Sequence, residues 1–466
     1  MRFSLLIVAV GLLCVPAALA TSYASGVSPL GGGMYSFVLN EDASNVVIDR
    51  YGTSPLNLGP LAKGAHTFDL GAGTGFGIQV SSSATAGWTQ ISDDSLTQSK
   101  YYSPRGVTVD MNPMRSTFGR IYVGESLGGP VGAGGRTTTD GIYVMSADQG
   151  DVLGQGDTAF GGGVDWSTSA SSPLKLGLNR NDPLGLDGQL YIGDWSDSHS
   201  GIWTADTLNM GAAFPALLDN TGRDAGGLVL ENFGAGPGQL HGSVPCGPWV
   251  EGTGADRKMY TLDEDVRRGN VLRYDIGTTT ANYATAPTDV TTDSLGYLAN
   301  GLLDMVRDEN GDYWVAQYRY TESAACPALT RWEEYGTEPV YNSGADGDLP
   351  LLWSAYGSID IIENGEMKWL VMGARSSYGV YILDISDPDN PVLLDTIPQT
   401  GYTRDVAFDA AGNVYVVSNS SETLRIWSPG GDWLATTGSD GSFTLVPEPG
   451  ALMLLALGGL ALFRRR

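Results

Sequence analysis

Short runs of alternating apolar and polar residues, bounded by glycine, aspartate, asparagine and proline, recur along most of the chain. Alternation with a period of two is typical of strands, and no stretch between residues 21 and 445 has a convincing helical pattern. Six strand-like units are centred 69, 69, 54, 56 and 45 residues apart, at Tyr122, Tyr191, Tyr260, Trp314, Leu370 and Tyr415. Apolar strands that carry an aspartate precede several of them, around Asp110, Asp304, Asp360 and Asp405. The pattern predicts an all-β chain.

Repeated units of three or four strands favour a β-propeller, because a small sheet cannot bury both faces alone and must stack against neighbours around an axis. Glycine supports this prediction, since 65 of the 466 residues are glycine. Such a content suits many tight turns and disfavours long helices. Residues 81–445 are therefore predicted to form a propeller of six to eight blades.

The last unit is the clearest, and its hairpin turn runs from Asp409 through Gly412 to Asn413. With the strands on either side, this turn resembles a blade of NHL-type or gluconolactonase-like propellers. Gluconolactonase-like enzymes hold one divalent cation in the central channel, with Glu, Asn and Asp from separate blades. Those ligands cannot be matched one by one here, so the resemblance implies the fold and leaves the activity open.

The segment before the repeats has a different pattern. Four short strands are predicted at residues 34–39, 46–50, 56–61 and 64–69, and the last contains a Gly-x-His-x-Phe pattern around His66. This string resembles the Ig-like module of flagellar hook-capping proteins. It predicts a small Ig-like β-sandwich at residues 26–80, and an additional propeller blade is the alternative.

Both ends of the chain look like targeting signals. Residues 1–20 combine Arg2, an apolar run and a small-residue site at Ala18 and Ala20, which predicts a secretory signal peptide cleaved after Ala20. The two cysteines that would remain, Cys246 and Cys326, agree with export and are predicted to form one disulfide, with two free thiols as the alternative.

At the other end, Pro447, Glu448 and Pro449 precede a largely apolar run at 451–463 and three terminal arginines. As a helix the run would be about 20 Å long, which is short for a stable span of a bilayer with a core of about 30 Å. The arginines would stay cytoplasmic. Residues 446–466 resemble the PEP-CTERM sorting signal, which implies an exosortase as partner, export across the inner membrane and transient anchoring by an apolar transmembrane helix. An ordinary tail anchor is the alternative.

Charge and motifs narrow the functional classes. The chain has 52 acidic and 26 basic residues, a net charge of −26, so it would repel nucleic acids. It has three histidines, His66, His199 and His241, and no Walker loop, zincin helix or serine elbow. No catalytic residues are predicted. Asp308, Asn310 and Asp312 have the spacing of a calcium loop, but the later positions of that loop do not follow, and a hairpin turn is the alternative.

Aromatic residues offer the remaining clue to a binding surface, because indole rings can stack on sugars. The tryptophans considered near loops or strand ends are Trp166, Trp195, Trp203, Trp249, Trp332 and Trp353, and packing between blades is the alternative role for them. The sequence thus favours an exported, non-catalytic propeller at the cell surface or in the extracellular matrix, with an exopolysaccharide or a surface protein as its partner. The alternative is a divalent-cation-dependent hydrolase or lyase that acts on a carbohydrate or lactone, with calcium as its cofactor.

Overall fold

The computed structural model is nearly all-β, with 52% strand and 3% helix. It describes residues 21–83, 87–132, 136–152, 162–164, 166, 172–195, 201–219, 246–262, 270–283, 285, 287–298, 303–318, 323–325, 327–346, 349, 355–365, 367–374, 379–398 and 401–447. Within these ranges no helix has both the length and the apolar character needed to cross a membrane. The predicted signal peptide at residues 1–20 and the apolar run at 451–463 lie outside the described residues.

Six antiparallel meanders form the body of the molecule, and the first strand of each lies innermost. From the innermost strand outward, the first is β8 (Pro104–Val109), β9 (Ile121–Glu125) and β12 (Gly141–Met145); the second is β13 (Lys175–Asn181), β14 (Gln189–Asp194), β15 (Gly201–Asp206) and β16 (Ala216–Asp219); the third is β17 (Trp249–Glu251), β18 (Lys258–Leu262), β19 (Val271–Tyr274) and β20 (Thr288–Asp289). The fourth is β21 (Leu303–Arg307), β22 (Tyr313–Gln317), β23 (Leu329–Trp332) and β24 (Tyr341–Asn342); the fifth is β25 (Ala355–Asn364), β26 (Met367–Ala374), β27 (Val380–Asp384) and β28 (Val392–Ile397); the sixth is β29 (Thr403–Phe408), β30 (Val414–Ser418), β31 (Thr423–Ser428) and, outermost, β7 (Thr89–Gln90). A ribbon of β10 (Gly129–Pro130) and β11 (Thr137–Thr138), the helix α1 (Ser343–Asp346) and 3-10 turns at Thr97–Ser99 and Gly254–Asp256 complete the regular structure of this part.

The meanders close a ring. Each shares a buried apolar cluster with the next, and the sixth shares one with the first, in which Val107 and Tyr143 pack with Tyr415 and Leu424. The inner strands β13 and β17 also pair in parallel. A single meander could not bury both of its faces alone, and in the closed ring each sheet packs its two faces against its two neighbours. The predicted all-β propeller is confirmed. The described residues contain six meanders, and the predicted count of six to eight blades stays a prediction.

A β-sandwich lies beside the ring. One sheet contains β1 (Ala24–Gly31), β2 (Met34–Leu39) and β5 (Gly64–Asp69), and the other contains, in spatial order, β4 (Leu56–Leu61), β3 (Ala43–Arg50), β6 (Phe76–Ser83), β32 (Asp432–Gly438) and β33 (Phe443–Pro447). Phe37, Phe68, Phe76 and Ile78 are among its core residues. The four strands predicted here are present, and the Ig-like assignment stays a prediction.

The two ends of the described chain meet in this sandwich. Residues 432–445 fall in the range predicted for the propeller, yet β32 pairs with β6 over seven residues and β33 pairs with β32. Leu445 of β33, the edge strand of this five-stranded sheet, is buried in the same apolar cluster as Tyr23 and Phe118. The sandwich is therefore built from residues of both ends, and its strands extend beyond the predicted limits of 26 and 80.

The N-terminal segment is held between the sandwich and the sixth meander. The Thr21 amide donates to Ser428 Oγ at 2.7 Å, and the Tyr23 amide donates to Asn40 Oδ1 at 2.8 Å. Both residues are fully buried. Together with β7 in the sixth meander, these bonds tie the beginning of the chain to its last blade.

Strand β33 offers a test of how the sandwich packs on the propeller, because Leu445 belongs to the buried cluster of the fifth and sixth meanders. Leu445 is 5% exposed and Val446 is 46% exposed, although they are neighbours on one strand. In the chain without its signal and tail, Leu445→Ala is expected to lower the free energy of unfolding by ~2–5 kcal/mol, because it leaves a cavity. Val446→Ala is the control and should change it by about 0.5 kcal/mol or less. Guanidinium unfolding followed by tryptophan fluorescence measures both, and equal small shifts would show that β33 is not part of the core.

Candidate binding cleft and central channel

Aspartates on three inner strands join neighbouring blades. Asp304 Oδ2 accepts a hydrogen bond from the Ile359 amide at 3.3 Å, and Asp360 Oδ2 accepts one from the Phe408 amide at 2.6 Å. Asp405 Oδ2 accepts one from the Val107 amide of the first meander at 2.8 Å. Each carboxylate satisfies an amide that the next inner strand would otherwise bury without a partner. The acidic residues of these apolar strands therefore bind blades to each other.

Lys175 lies at the centre of the channel. Its Nζ is 2.9 Å from Asp304 Oδ2, 2.5 Å from Asp405 Oδ1 and 3.2 Å from the Arg404 carbonyl oxygen. The three charged side chains are only 4–5% exposed, and they line a cavity of about 40 Å³. The channel is thus closed by an ammonium group held between two carboxylates.

Burial sets the protonation of this cluster. It raises the pKa of Asp405 to about 7, although the Lys175 charge acts in the opposite direction. Burial also acts to lower the pKa of Lys175, but the attraction of Asp304 and Asp405 outweighs it and the pKa is raised. The lysine therefore keeps its proton, and a positive charge stays where a channel cation would bind.

At one end of the channel, where the inner strands turn back, a cleft of about 320 Å³ opens. Its wall includes Arg180, which makes a double contact with Asp360: Nη1 lies 2.7 Å from Oδ1 and Nη2 lies 2.8 Å from Oδ2. The same guanidinium lies 5.4 Å from the ring centre of the partly exposed Trp249. Arg180 Nη1 also donates to the Ile361 carbonyl oxygen at 3.0 Å. Asp360, Ile361 and Trp249 therefore hold Arg180 in one orientation, and the cleft has a fixed guanidinium beside an aromatic ring.

The lining of the cleft is also acidic. Glu363 Oε2 accepts a hydrogen bond from the Glu309 amide at 2.7 Å. Burial is the main cause that raises the pKa of Glu363 to about 7, and repulsion from the Asp308 carboxylate is the second. Arg307, which is ion-paired with Glu251, and the exposed Asn181 also line the cleft, and Phe443 of β33 adds an apolar edge. The other polar lining residues are Asp308, Glu309 and Asn364. Amide, guanidinium and carboxyl groups together give the cleft donors and acceptors beside the partly exposed ring of Trp249.

The proposed calcium residues form a hairpin turn in the structure. Asp308 Oδ1 accepts hydrogen bonds from the amides of Asn310 and Asp312, both at 3.0 Å. Asp308 Oδ2 accepts one from Trp314 Nε1 at 3.1 Å, and Asp312 is ion-paired with Arg331. In the turn that begins at Asp409, the amides of Ala411 and Asn413 donate to Asp409 Oδ1 in the same way. Both aspartates of the proposed site thus have protein partners, and the described ranges contain no group of three or more His, Cys, Asp and Glu residues placed to hold a metal.

The other predicted site residues are placed as follows. His66 Nε2 lies 2.7 Å from the Ala62 carbonyl oxygen, while His199 and His241 lie outside the described residues. Cys246 is fully buried, and its Sγ accepts a hydrogen bond from the Leu262 amide. Cys326 lies outside the described residues, so the disulfide stays a prediction. Ala18, Ala20, Glu448 and Pro449 also lie outside them, and Pro447 is the last residue of β33.

The tryptophans divide between core and surface. Trp166 and Trp332 are buried in the clusters between blades, which agrees with a packing role. Trp195, Trp203 and Trp249 are partly exposed, and Trp353 lies outside the described residues. Only Trp249 of these lines the cleft of about 320 Å³. Sequence reasoning named Trp249 as a binding candidate but gave no role to Lys175 or Arg180, which stand at the two ends of one strand, before Leu176 and between Asn179 and Asn181.

Comparisons with known proteins identify the tail. Residues 445–466 match the family described as the PEP-CTERM protein-sorting motif, so the chain carries this signal at its C-terminus. No curated protein matches the sequence.

Solved structures give matches at low identity. An auxiliary nutrient binding protein from Bacteroides thetaiotaomicron is 9% identical, with 87% of this chain and 97% of that chain covered and a TM-score of 0.44. A protein provisionally assigned as an oxidoreductase (glucose dehydrogenase) from Thermus thermophilus is 11% identical, with 74% and 99% covered and a TM-score of 0.41. A protein provisionally assigned as a gluconolactonase is 11% identical, with 74% and 92% covered and a TM-score of 0.40.

The channel cluster predicts a pH-dependent effect of Lys175→Met. Removing one member of a buried charge group should cost ~3–5 kcal/mol of unfolding free energy at pH 8, because two carboxylates lose their counter-ion. Without the lysine, the pKa values of Asp304 and Asp405 in the folded state lie further above the unfolded value of about 3.9. The loss of unfolding free energy in Lys175→Met therefore grows as pH rises, and it is smaller at pH 5 than at pH 8. Denaturant unfolding at both pH values measures this difference.

Lys63→Met is the matched control. Lys63 forms a partly exposed pair with Glu41 at 2.6 Å, and its loss should cost about 0–1 kcal/mol. A Lys175→Met penalty that stays the same at pH 5 and pH 8 would contradict the account of the channel.

Proposed function

We propose that this chain is an exported, non-catalytic β-propeller that binds a matrix polysaccharide at the cell surface or in the extracellular matrix. The observation that carries the proposal is the cleft of about 320 Å³ with Trp249 and Arg180 on its wall. A sugar ring can stack on an indole face while its hydroxyl groups bond to fixed donors and acceptors. The cleft supplies both, since Asn181 and Glu363 face the same volume.

The closed channel supports binding over catalysis. A cation-dependent hydrolase or lyase on this fold would use channel carboxylates, and Asp304, Asp360 and Asp405 are those available. Each one already accepts an amide hydrogen bond from another blade and contacts a basic side chain. A divalent cation would have to displace the Lys175 ammonium and break its two ion pairs, a free-energy cost that carboxylates without a counter-ion would not impose.

The sorting signal supports the location. The match at residues 445–466 implies recognition by an exosortase-type system and export. With a net charge of −26 the chain suits an extracellular medium and disfavours nucleic acids. We therefore expect the mature chain to act outside the inner membrane.

Glycan-array binding of residues 21–447, with a parallel metal-content assay, tests the ligand. Trp249→Leu keeps apolar packing and removes the indole face, and it should weaken binding about tenfold, a loss of ~1.4 kcal/mol. Asn181→Ala is an exposed second variant that should weaken binding without affecting stability. Asn57→Ala, an exposed change on the sandwich, is the control and should bind as the parent does.

Two outcomes would overturn this function. One is binding that survives both cleft variants unchanged. The other is no glycan binding at all together with capture of a surface protein, which would assign the surface to protein recognition.

Sorting has a separate test. Replacing Pro447, Glu448 and Pro449 together by alanine should leave the precursor unprocessed and retained with the membrane fraction, because the recognition residues are gone. Immunoblots of membrane and extracellular fractions from a host with an exosortase measure this. Unchanged size and location would show that this tail is not the address.

A further inference from the structure

Three partly exposed tryptophans adjoin the strand from which the tail leaves the fold. Trp88 and Trp369 are edge to face with ring centres 6.0 Å apart. Trp433 Nε1 donates to the Gly430 carbonyl oxygen at 2.8 Å, and the neighbouring Pro429 carbonyl accepts from the Gly87 amide at 3.2 Å. All three rings pack on the same buried cluster, so they form one group, which we call the indole rim.

The indole rim lies next to the end of β33. Trp433 is the Cα partner of Pro447 across the β32–β33 pair, so their backbones are separated by about one strand spacing of 4.7–4.9 Å. The preceding pair, Leu434 and Val446, adds apolar surface at this end, with Val446 46% exposed. Strand pairing therefore fixes where the polypeptide leaves the sandwich.

Little chain separates this exit from the apolar tail. The apolar run begins at Ala451, four residues after Pro447. Four residues extend at most about 14 Å. The polar layer on each side of the hydrocarbon core is roughly 5–8 Å thick. When the tail is inserted, the end of β33 must therefore lie within or just above the headgroups.

We propose that the indole rim, Trp88, Trp369 and Trp433, is a membrane-contact surface that rests in the outer interfacial layer of the bilayer while the tail is attached. Tryptophan favours this layer because its ring is apolar and its N–H is polar. The net charge of −26 gives no attraction to anionic lipids, so the contact depends on aromatic rings and suits a zwitterionic surface. The inference rests on insertion of the tail and is independent of the ligand proposed for the cleft.

Fluorescence quenching by brominated acyl chains tests the contact. Full-length chain without the signal, residues 21–466, is inserted into phosphatidylcholine vesicles with and without bromine, and flotation first establishes that it is membrane-bound. The tail contains no tryptophan, so any quenching reports the folded body. We expect quenching in the floated protein, and we expect Trp88→Phe, Trp369→Phe and Trp433→Phe together to remove at least half of the quenched signal.

A matched triple variant, Trp166→Phe, Trp195→Phe and Trp203→Phe in the second meander and the segments next to it, should keep the quenching. Trp433→Phe alone should reduce it partly and guards against misfolding of the triple variant, and residues 21–447 should show neither flotation nor quenching. Flotation without quenching, or quenching that the indole-rim variants leave unchanged, overturns the contact surface. A failure to float overturns the tail insertion on which it rests and leaves glycan binding by the cleft untouched.

Discussion

The ammonium of Lys175, held between Asp304 and Asp405, is the interaction on which the centre of this propeller depends. Three charges that are almost entirely buried require one another, because either carboxylate alone would be costly to keep ionised in the channel. The same aspartates accept amide hydrogen bonds from neighbouring blades. One cluster therefore joins blades that are far apart in sequence and also fills the centre of the channel. Recognition is consequently expected at the cleft outside the channel.

At the periphery of the molecule, the two ends of the described chain join the sandwich to the sixth blade. Thr21, β7, β32 and β33 bring residues from both ends into the sixth blade and the sandwich. The fold is complete only when the C-terminal strands have arrived, and those strands lead directly to the sorting signal.

The local features of the fold could be predicted from the sequence, because strand alternation and turn chemistry act over a few residues. The turns at Asp308 and Asp409 are examples, since an aspartate side chain that binds amides two and four residues ahead is a local signal. The pairing of Thr436 with Gln79, across more than 350 residues, has no local signal, and neither has the meeting of Lys175 with Asp405. Trp249 could be named as an aromatic candidate, but its position beside Arg180 required the closed ring.

The Lys175 ammonium occupies the position between Asp304 and Asp405 that a metal ion in the channel would need. The most direct test is an anomalous difference map from crystals of residues 21–447 soaked in millimolar Mn²⁺, a cation with the same preference for carboxylate ligands as Ca²⁺. The account predicts no anomalous peak within coordination distance of Asp304 and Asp405, with the Lys175 side chain still between them. A manganese peak bound to those carboxylates, with the lysine displaced, would contradict it.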